Sequence, residues 1–210
     1  MKSQVFNMDC LDAIKNYPDK YFDLCLTDPP YGVNLLYNSY EDSLENWYKL
    51  MKLFIPEVTR ISKMVIIPSC SINKLHWIYT NYPPDWLACW YKGSTGHNSF
   101  IGFNDWEPLL VYGKLQKTYI HDYFNIPNTE KMGNYGHPCP KPVKWFRKIY
   151  NKTLYNTQNA KVLDCFMGSG SGRIAADMEG YDFTGYELDT DYFNASVKRF
   201  NEYKLQTKLL

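Results

Sequence analysis

The sequence has little of several features that mark whole classes of protein. It contains no run of about 20 apolar residues, and no apolar segment follows Met1 and Lys2, so neither a membrane span nor a secretion signal is indicated. Its 23 Lys and Arg residues balance 22 Asp and Glu residues to a formal net charge of +1. No excess of charge therefore points to a polyanion, and binding of nucleic acid would need a local basic patch. We expect a soluble, cytoplasmic protein.

Patterns typical of metal sites and disulfide frameworks are lacking too. The six cysteines form no C-x-x-C pair, and the four histidines show no spacing typical of metal ligands. Cys25 and Cys165 lie inside apolar stretches, which favours reduced, buried thiols over a zinc site. The sequence also has no repeat, no low-complexity tract and no long linker. Residues 1–210 are therefore predicted to form a single domain with a substantial core.

What the sequence does contain is an alternation of strand-like and helix-like stretches. Short apolar runs at 22–27 and 161–164 suit buried parallel strands, whereas 41–61 carries apolar residues at helical spacing. Such an order predicts an α/β fold, a Rossmann-like doubly wound sheet that is mostly parallel.

The first candidate site is the segment Asp28-Pro29-Pro30-Tyr31, which directly follows the run 22–27. Two consecutive prolines cannot continue a strand, so the chain must leave the sheet at Asp28. A carboxylate, a stiff pair of carbonyls and an aromatic ring are thereby held at the carboxyl end of a strand. Open α/β sheets place their ligand sites at such ends.

These residues suit chemistry on the exocyclic amino group of adenine or cytosine, which is a poor nucleophile because its lone pair is delocalised into the ring. The Asp28 carboxylate and the Pro29 carbonyl could accept its two N–H groups and draw the nitrogen toward tetrahedral geometry. Tyr31 could stack on the base once it is flipped out of the duplex. The alternative is ordinary surface punctuation, as at 82–85, but the preceding strand and a later glycine loop favour a site.

The second candidate site is a glycine loop, Gly168-Ser169-Gly170, between another strand-like run and a helix-like stretch. The glycines let the backbone turn tightly and leave room for a ligand against the start of the helix. A dinucleotide-binding loop, G-x-G-x-x-G or -A, would need Gly or Ala where Arg173 stands, which disfavours NAD and FAD.

Acidic and aromatic residues around this loop complete the candidate cofactor site. Asp164 and Phe166 flank the loop, and Glu187 closes the next strand-like run about 20 residues downstream, where an acidic side chain can bind ribose hydroxyls. The pattern fits an adenosine without a diphosphate better than a dinucleotide. A glycine-rich turn that binds nothing is the alternative.

Residues for contact with nucleic acid are less explicit. A local basic patch recurs along one helix-like stretch, and its candidates for phosphate contact are Lys144, Arg147 and Lys148. A solvated helix face explains these residues equally well. Tyr37 and Tyr40, in loop-like sequence after the proline turn, could stack on bases.

Several motifs together resemble those of the S-adenosylmethionine-dependent amino-DNA methyltransferases. The sequence is most similar to the permuted class, in which the catalytic tetrapeptide precedes the cofactor loop. The resemblance covers almost the whole chain, in the family's own order of motifs. The matching segments are 7–11, 24–32, 90–92, 107–114, 137–142, 164–170 and 185–189.

The resemblance implies a class I methyltransferase fold in permuted order, S-adenosylmethionine as cofactor, DNA as partner and the N6 amine of adenine as the methylated group. It implies that the catalytic residues are Asp28, Pro29, Pro30 and Tyr31. The cofactor-binding residues that it implies are Asp9, Asp164, Phe166, Gly168, Ser169, Gly170, Glu187, His137 and Lys141.

For three of these residues the resemblance is the main support. Asp9 would lie near the adenine of the cofactor, while His137 and Lys141 would approach its methionine end. Asp9 could instead cap the helix that follows it, and Lys141 could be a surface lysine before a proline.

One segment departs from the family pattern. Members with demanding sequence specificity carry a sizeable target-recognition insert, and here only 115–135 could serve. A segment of roughly 20 residues cannot form a module with its own core. We therefore expect a short recognition site, loose specificity, or help from a second subunit, which includes a homodimer.

Other functions stay open at this point. The same chemistry could act on cytosine N4, on an RNA base or on a protein side-chain amide. Methylation of cytosine C5 would need a cysteine nucleophile, and Cys139 has no supporting pattern around it. A catalytically inactive binding subunit would be expected to have a damaged proline turn, and this turn is intact.

Overall fold

The computed structural model describes residues 2–69, 72–93, 98–99, 102–115, 121–127, 140–155 and 157–207. The strands are β1 (Ser3–Asn7), β2 (Phe22–Leu26), β3 (Ser62–Pro68), β4 (Trp86–Tyr91), β5 (Asn98–Ser99), β6 (Gly102–Phe103), β7 (Trp106–Gly113), β8 (Tyr123–Asn125), β9 (Lys161–Asp164) and β10 (Asp182–Glu187). The helices are α1 (Cys10–Ile14), α2 (Leu44–Ile61), α3 (Ile72–Asn81), α4 (Val143–Thr153), α5 (Ser171–Glu179) and α6 (Thr190–Thr207).

Among the described residues, eight strands form one sheet in the order β1-β10-β9-β2-β3-β7-β4-β8. Parallel pairing joins the first five of these strands, whereas β7 runs antiparallel to both β3 and β4. The prediction of an α/β fold with a mostly parallel sheet is therefore confirmed. The antiparallel strand lies on the β3 side of the sheet, away from the glycine loop.

The sheet is covered on both faces, because successive residues of a strand point to opposite sides. On β2, Leu24 and Leu26 belong to a core cluster that also contains Trp145 of α4. Cys25 lies between them and belongs to a second cluster, which contains Phe54 of α2. Burial on both faces explains why this strand is a continuous apolar run rather than an alternating one.

The sheet also has a topological switch point between β2 and β9, which pair in parallel with Cys25 opposite Leu163. The chain leaves β2 for β3 on one side and leaves β9 for β10 on the other side. The connections diverge there, so a crevice opens at the carboxyl ends of the two strands. The proline turn and the glycine loop both begin at this crevice.

Part of the predicted target-recognition segment 115–135 falls outside the described residues, as does His137. The described residues 121–127 include β8, which adds to the sheet as a parallel neighbour of β4. Phe124 of this strand is buried in the core. This part of the segment therefore contributes to the sheet. None of the helices in the described ranges is both long enough and apolar enough to cross a membrane.

Candidate active site at the carboxyl ends of β2 and β9

A cavity of about 950 Å³, counted to its open mouth, lies at the crevice. Asp28 and Pro30 of the proline turn line it, together with Phe166, Gly168 and Ser169 of the glycine loop. Its lining combines apolar side chains with a few polar groups, which is typical of ligand-binding sites. The structure thus brings together the two motifs that are more than 130 residues apart in the sequence.

A buried threonine connects the two motifs directly. The Thr27 hydroxyl donates to Asp164 Oδ1 at 2.7 Å and accepts the backbone N–H groups of Cys165 and Phe166 at 3.0 and 3.1 Å. Its side chain is fully buried. Sequence reasoning missed this residue, although a hydroxyl at the end of an apolar strand was a signal that a specific hydrogen bond would be found there.

Asp164 lies beneath the glycine loop and is not among the residues that line the cavity. Its side chain is fully buried, and Oδ2 has no hydrogen-bond partner among the described residues. Burial raises the pKa of Asp164 from 3.8 to about 7, although the bond from Thr27 and the Phe166 N–H oppose the rise. Asp164 therefore supports the loop from below, and direct contact with a cofactor stays a prediction.

The raised pKa predicts how Asp164 affects stability. The folded state binds the Asp164 proton more tightly than the unfolded state does. The contribution of protonated Asp164 to the free energy of unfolding is therefore fully present below about pH 4 and is lost as the pH rises through 7. Asp164→Asn mimics the neutral acid. We expect its free energy of unfolding, relative to that of the wild type, to increase by up to about 4 kcal/mol as the pH rises from 4 to 8. Urea unfolding at several pH values measures this gain. Parallel stability curves for the two proteins would show that Asp164 does not titrate in this range.

Glu187 ends β10 and lines the cavity with a carboxylate that is already anchored. Its Oε2 accepts the Gly168 N–H at 2.7 Å, and its Oε1 accepts the Asp189 N–H at 2.9 Å. Burial raises the pKa of Glu187, and these two hydrogen bonds oppose the rise. The anchored carboxylate faces the cavity as the sequence predicts, and its contact with a ribose stays a prediction.

The glycine loop is held in shape by backbone geometry and by an arginine from α6. Gly168 and Gly170 have φ angles of +48° and +76°, a region in which glycine is strongly favoured. Gly170 is the N-cap of α5 and is not a lining residue. Arg199 donates to the Ser169 carbonyl and to the Ser171 hydroxyl, each at 2.9 Å. Sequence reasoning missed Arg199, which lies about 30 residues after the loop that it stabilises.

The proline turn places Asp28 in an ion pair. Lys141 Nζ lies 2.7 Å from Asp28 Oδ2 and donates to the Tyr31 hydroxyl at 3.2 Å. The Lys141 and Asp28 side chains are only 9% and 19% exposed. Asp28 Oδ1 is buried and has no hydrogen-bond partner among the described residues. Lys141 therefore lies within the candidate site. It is not a surface lysine, which was the alternative.

A second buried ion pair lies behind Tyr31. Lys92 and Glu107 are 2.6 Å apart, with side chains that are 7% and 14% exposed. The other Glu107 oxygen lies 3.5 Å from the Tyr31 hydroxyl. Lys92 directly follows β4 and Glu107 lies on the neighbouring strand β7, so these contacts connect the tyrosine to the part of the sheet formed by β7 and β4.

The loop after the proline turn is organised by Asp42, which is 2% exposed. Its carboxylate accepts the backbone N–H groups of Gly32, Val33 and Leu35, the last two at 3.0 and 3.1 Å. Three such bonds fix the loop without regular secondary structure. Sequence reasoning also missed Asp42, because the backbone N–H groups that it binds approach it only in the folded loop.

This loop brings Tyr37 and Tyr40, the two predicted base-stacking residues, to the wall of the cavity. Burial and the Asp42 charge raise the pKa of Tyr40 to about 12. The hydroxyl of Tyr40 is buried and unpartnered among the described residues. Ser39 joins the loop to the end of β10 by donating to Asp189 Oδ2 at 2.7 Å. Stacking of the two tyrosines on DNA stays a prediction.

Asp9 caps α1 and also lines the cavity, and its contact with the adenine of a cofactor stays a prediction. Its Oδ1 accepts the Leu11 N–H at 2.9 Å. Among the described residues, no three His, Cys, Asp or Glu side chains are grouped so as to hold a metal ion.

Two of the three predicted DNA-contacting residues of α4 have intramolecular partners. Arg147 pairs with Glu179 at 2.7 Å, and Lys148 donates to the Asn125 carbonyl of β8 at 3.0 Å. Lys144 is exposed. The first two side chains thus stabilise helix and sheet contacts, and a role of these three residues in binding phosphates stays a prediction.

The comparison of this chain with known proteins points to one group. The sequence model of a DNA methylase family, N6 and N4 methyltransferases, matches residues 89–198. YubD of Escherichia coli K12, described as a candidate methylase, is 24% identical over 217 residues, which cover 94% of this chain and 89% of YubD.

Solved structures give the same result for the fold. The PvuII DNA methyltransferase, which is described as cytosine-N4-specific, superposes with a TM-score of 0.72 at 16% identity, over 95% of this chain and 86% of that one. The complex of M1.HpyAVI with S-adenosylmethionine gives a TM-score of 0.68 at 20% identity, over 95% and 99% of the two chains. Both likenesses extend over nearly the whole chain and show a common fold.

Proposed function

The chain belongs to the DNA methylase family, and from this membership we propose that it methylates the N6 amine of adenine in DNA, with S-adenosylmethionine as methyl donor. The observation that carries the proposal is the shared cavity, which is lined by Asp28 and Pro30 on one side and by Gly168 and Glu187 on the other. An acceptor for a target amine and a loop suited to an adenosine thereby face the same space.

The proline turn would activate the amine. Asp28 and the Pro29 carbonyl accept its two N–H groups, which draws the nitrogen lone pair out of the ring and toward the methyl donor. The buried Oδ1 of Asp28 supports this assignment, because it has no partner among the described residues. The base must leave the duplex to reach this depth, and Tyr31 offers a ring for it to stack on.

The charge of the cavity fits the cofactor. S-adenosylmethionine carries a positive sulfonium, which supplies an electrophilic methyl group when it is bound. The described lining contains the carboxylates of Asp9, Asp28, Glu187 and Asp189, which favour a cation. Glu187 and the backbone of the glycine loop are the groups that would hold the adenosine. After transfer the methylated nitrogen carries an extra proton, and Asp28 is the base in contact with it.

Cytosine N4 is the second candidate target. The two acceptors of the proline turn contact only the amino group, and adenine and cytosine both carry such a group. The similarity to the PvuII enzyme, described as cytosine-N4-specific, favours keeping this candidate. The preference for adenine rests on the resemblance of the Asp28-Pro29-Pro30-Tyr31 segment to adenine enzymes.

Mass spectrometry of nucleosides tests the proposal. We expect DNA from cells that express the protein, in a host without adenine methylation of its own, to contain N6-methyladenine. DNA from cells that express Asp28→Ala should contain none. If only N4-methylcytosine appears, the proposed target base is wrong, but the proposed methylation of an exocyclic amine is supported. If only RNA is methylated, the proposal of a DNA substrate fails.

A further inference from the structure

The Lys141 ammonium contacts the same carboxylate that the proposed function assigns to the target amine. It donates to Asp28 Oδ2 at 2.7 Å and lies 5.1 Å from the centroid of the Tyr31 ring. Trp90 supplies a second ring at 5.6 Å. A nitrogen that donates to Asp28 beside the Tyr31 ring is also what a flipped base would present. The ammonium thus shares the Asp28 carboxylate with the base, whose amine would use the unpartnered Oδ1, and it lies beside the same ring.

The ion pair also weakens Asp28 as an acceptor, because an adjacent cation neutralises the carboxylate charge that should polarise the amine. With side chains that are 9% and 19% exposed, solvent screens this pair only in part. A shift of Lys141 away from Asp28 would therefore restore the charge that polarises the amine.

The charges around the cavity indicate what could move it. Among the described residues of the lining, four are carboxylates (Asp9, Asp28, Glu187 and Asp189) and Lys141 is the one cation. The amino-acid portion of the proposed cofactor ends in a carboxylate. A carboxylate that enters such an acidic cavity needs a cationic partner, and in the described lining only Lys141 offers one.

We propose that Lys141 is a positioning residue shared between two carboxylates: it holds Asp28 in the free protein and turns to the carboxylate of the cofactor when this binds. Cofactor binding thereby restores the full charge of Asp28, so that the proline turn polarises a target amine most strongly when the methyl donor is present. This inference rests on the proposed function.

Binding of two cofactor analogues, measured without DNA, tests whether Lys141 is shared between the two carboxylates. S-adenosylhomocysteine keeps the amino-acid carboxylate, whereas 5′-methylthioadenosine keeps the adenosine and the thioether and lacks that carboxylate. In Asp28→Asn the ammonium is no longer held by a charge. We expect calorimetry to show about tenfold tighter binding of S-adenosylhomocysteine and unchanged binding of 5′-methylthioadenosine.

A second substitution separates sharing from simple repulsion between Asp28 and the cofactor carboxylate. Lys141→Met should weaken S-adenosylhomocysteine binding, and in this background Asp28→Asn should change affinity less than about twofold. A tightening that persists without Lys141 would overturn the proposal, since it would come from repulsion alone. If Lys141→Met is unfolded by circular dichroism, Lys141→Gln replaces it in the same cycle.

The control is the ion pair of Asp23, which lies near the amino end of β2, the strand that precedes Asp28. Asp23 and Lys63 are 2.8 Å apart, and the Asp23 side chain is 16% exposed, close to the value for Asp28. Asp23→Asn should leave both affinities unchanged. A wild-type protein that binds neither analogue would refute the proposed function itself. Normal binding with no effect of Asp28→Asn would refute only the sharing of Lys141.

Discussion

Asp28→Ala is expected to lower methyl transfer to DNA by about a thousandfold or more while binding of S-adenosylhomocysteine is retained. The Asp28 carboxylate would act on the target amine, whereas the adenosine portion of the cofactor would rest on the glycine loop and Glu187, on neighbouring strands β9 and β10. The measurement combines transfer of a labelled methyl group to DNA with calorimetry of the cofactor product. Affinity should be equal to the wild type or higher, because the substitution also releases Lys141.

The chain offers a matched control for this substitution in its other Pro-Pro turn. Asp85 directly follows Pro83-Pro84, and its carboxylate accepts the Gly113 N–H at 2.6 Å, outside the lining of the cavity. Asp85→Ala should cost some stability and leave activity per folded molecule within about twofold of the wild type. If Asp28→Ala loses cofactor binding together with activity, the division of roles between the two halves of the cavity is wrong.

The two halves of the site could be predicted from sequence because their signals are local. Proline after an apolar run ends a strand at Asp28, and glycine after an apolar run opens a loop at Gly168. The order of elements then predicts parallel strands, and the ends of parallel strands meet at one edge of the sheet. Adjacent pairing of β2 with β9 realises this expectation.

The contacts that support the site could not be predicted in this way, since the two partners of each contact are distant in sequence. Asp28 and Lys141 are 113 positions apart, and Thr27 and Asp164 are 137 apart. Arg199 reaches back 30 residues to the loop. Each of these contacts depends on how helices and strands are arranged in space, and a single sequence without relatives carries no signal for that arrangement.

The basic residues of α4 are a case in which the sequence allows two roles and does not decide between them. Charges that recur along a helix predict an exposed basic face, and Arg147 and Lys148 are exposed, but they also contact Glu179 and the Asn125 carbonyl. Long side chains of this kind often cover neighbouring backbone groups. Sequence pattern alone does not distinguish such a role from contact with phosphates.

Gly168→Val is expected to abolish cofactor binding and to leave the fold intact. The φ angle of +48° at Gly168 disfavours a β-branched residue, and a side chain at this position would project from the backbone that lines the cavity. We expect the affinity for S-adenosylhomocysteine to fall by about a hundredfold or more, with a loss of about 1–2 kcal/mol in stability from the backbone strain. Calorimetry and urea unfolding measure the two effects separately.

Gly180→Val at the other end of α5 separates blockage of the cavity from backbone strain. Gly180 has a φ angle of +75°, a Cβ placed there would meet no atom within 4 Å, and the residue is not part of the cavity lining. Its substitution should cost a similar free energy of unfolding, because the strain is of the same kind, and should leave cofactor affinity unchanged. Equal losses of affinity in the two variants would mean that a general loosening of α5, rather than occupation of the cavity at Gly168, prevents the cofactor from binding.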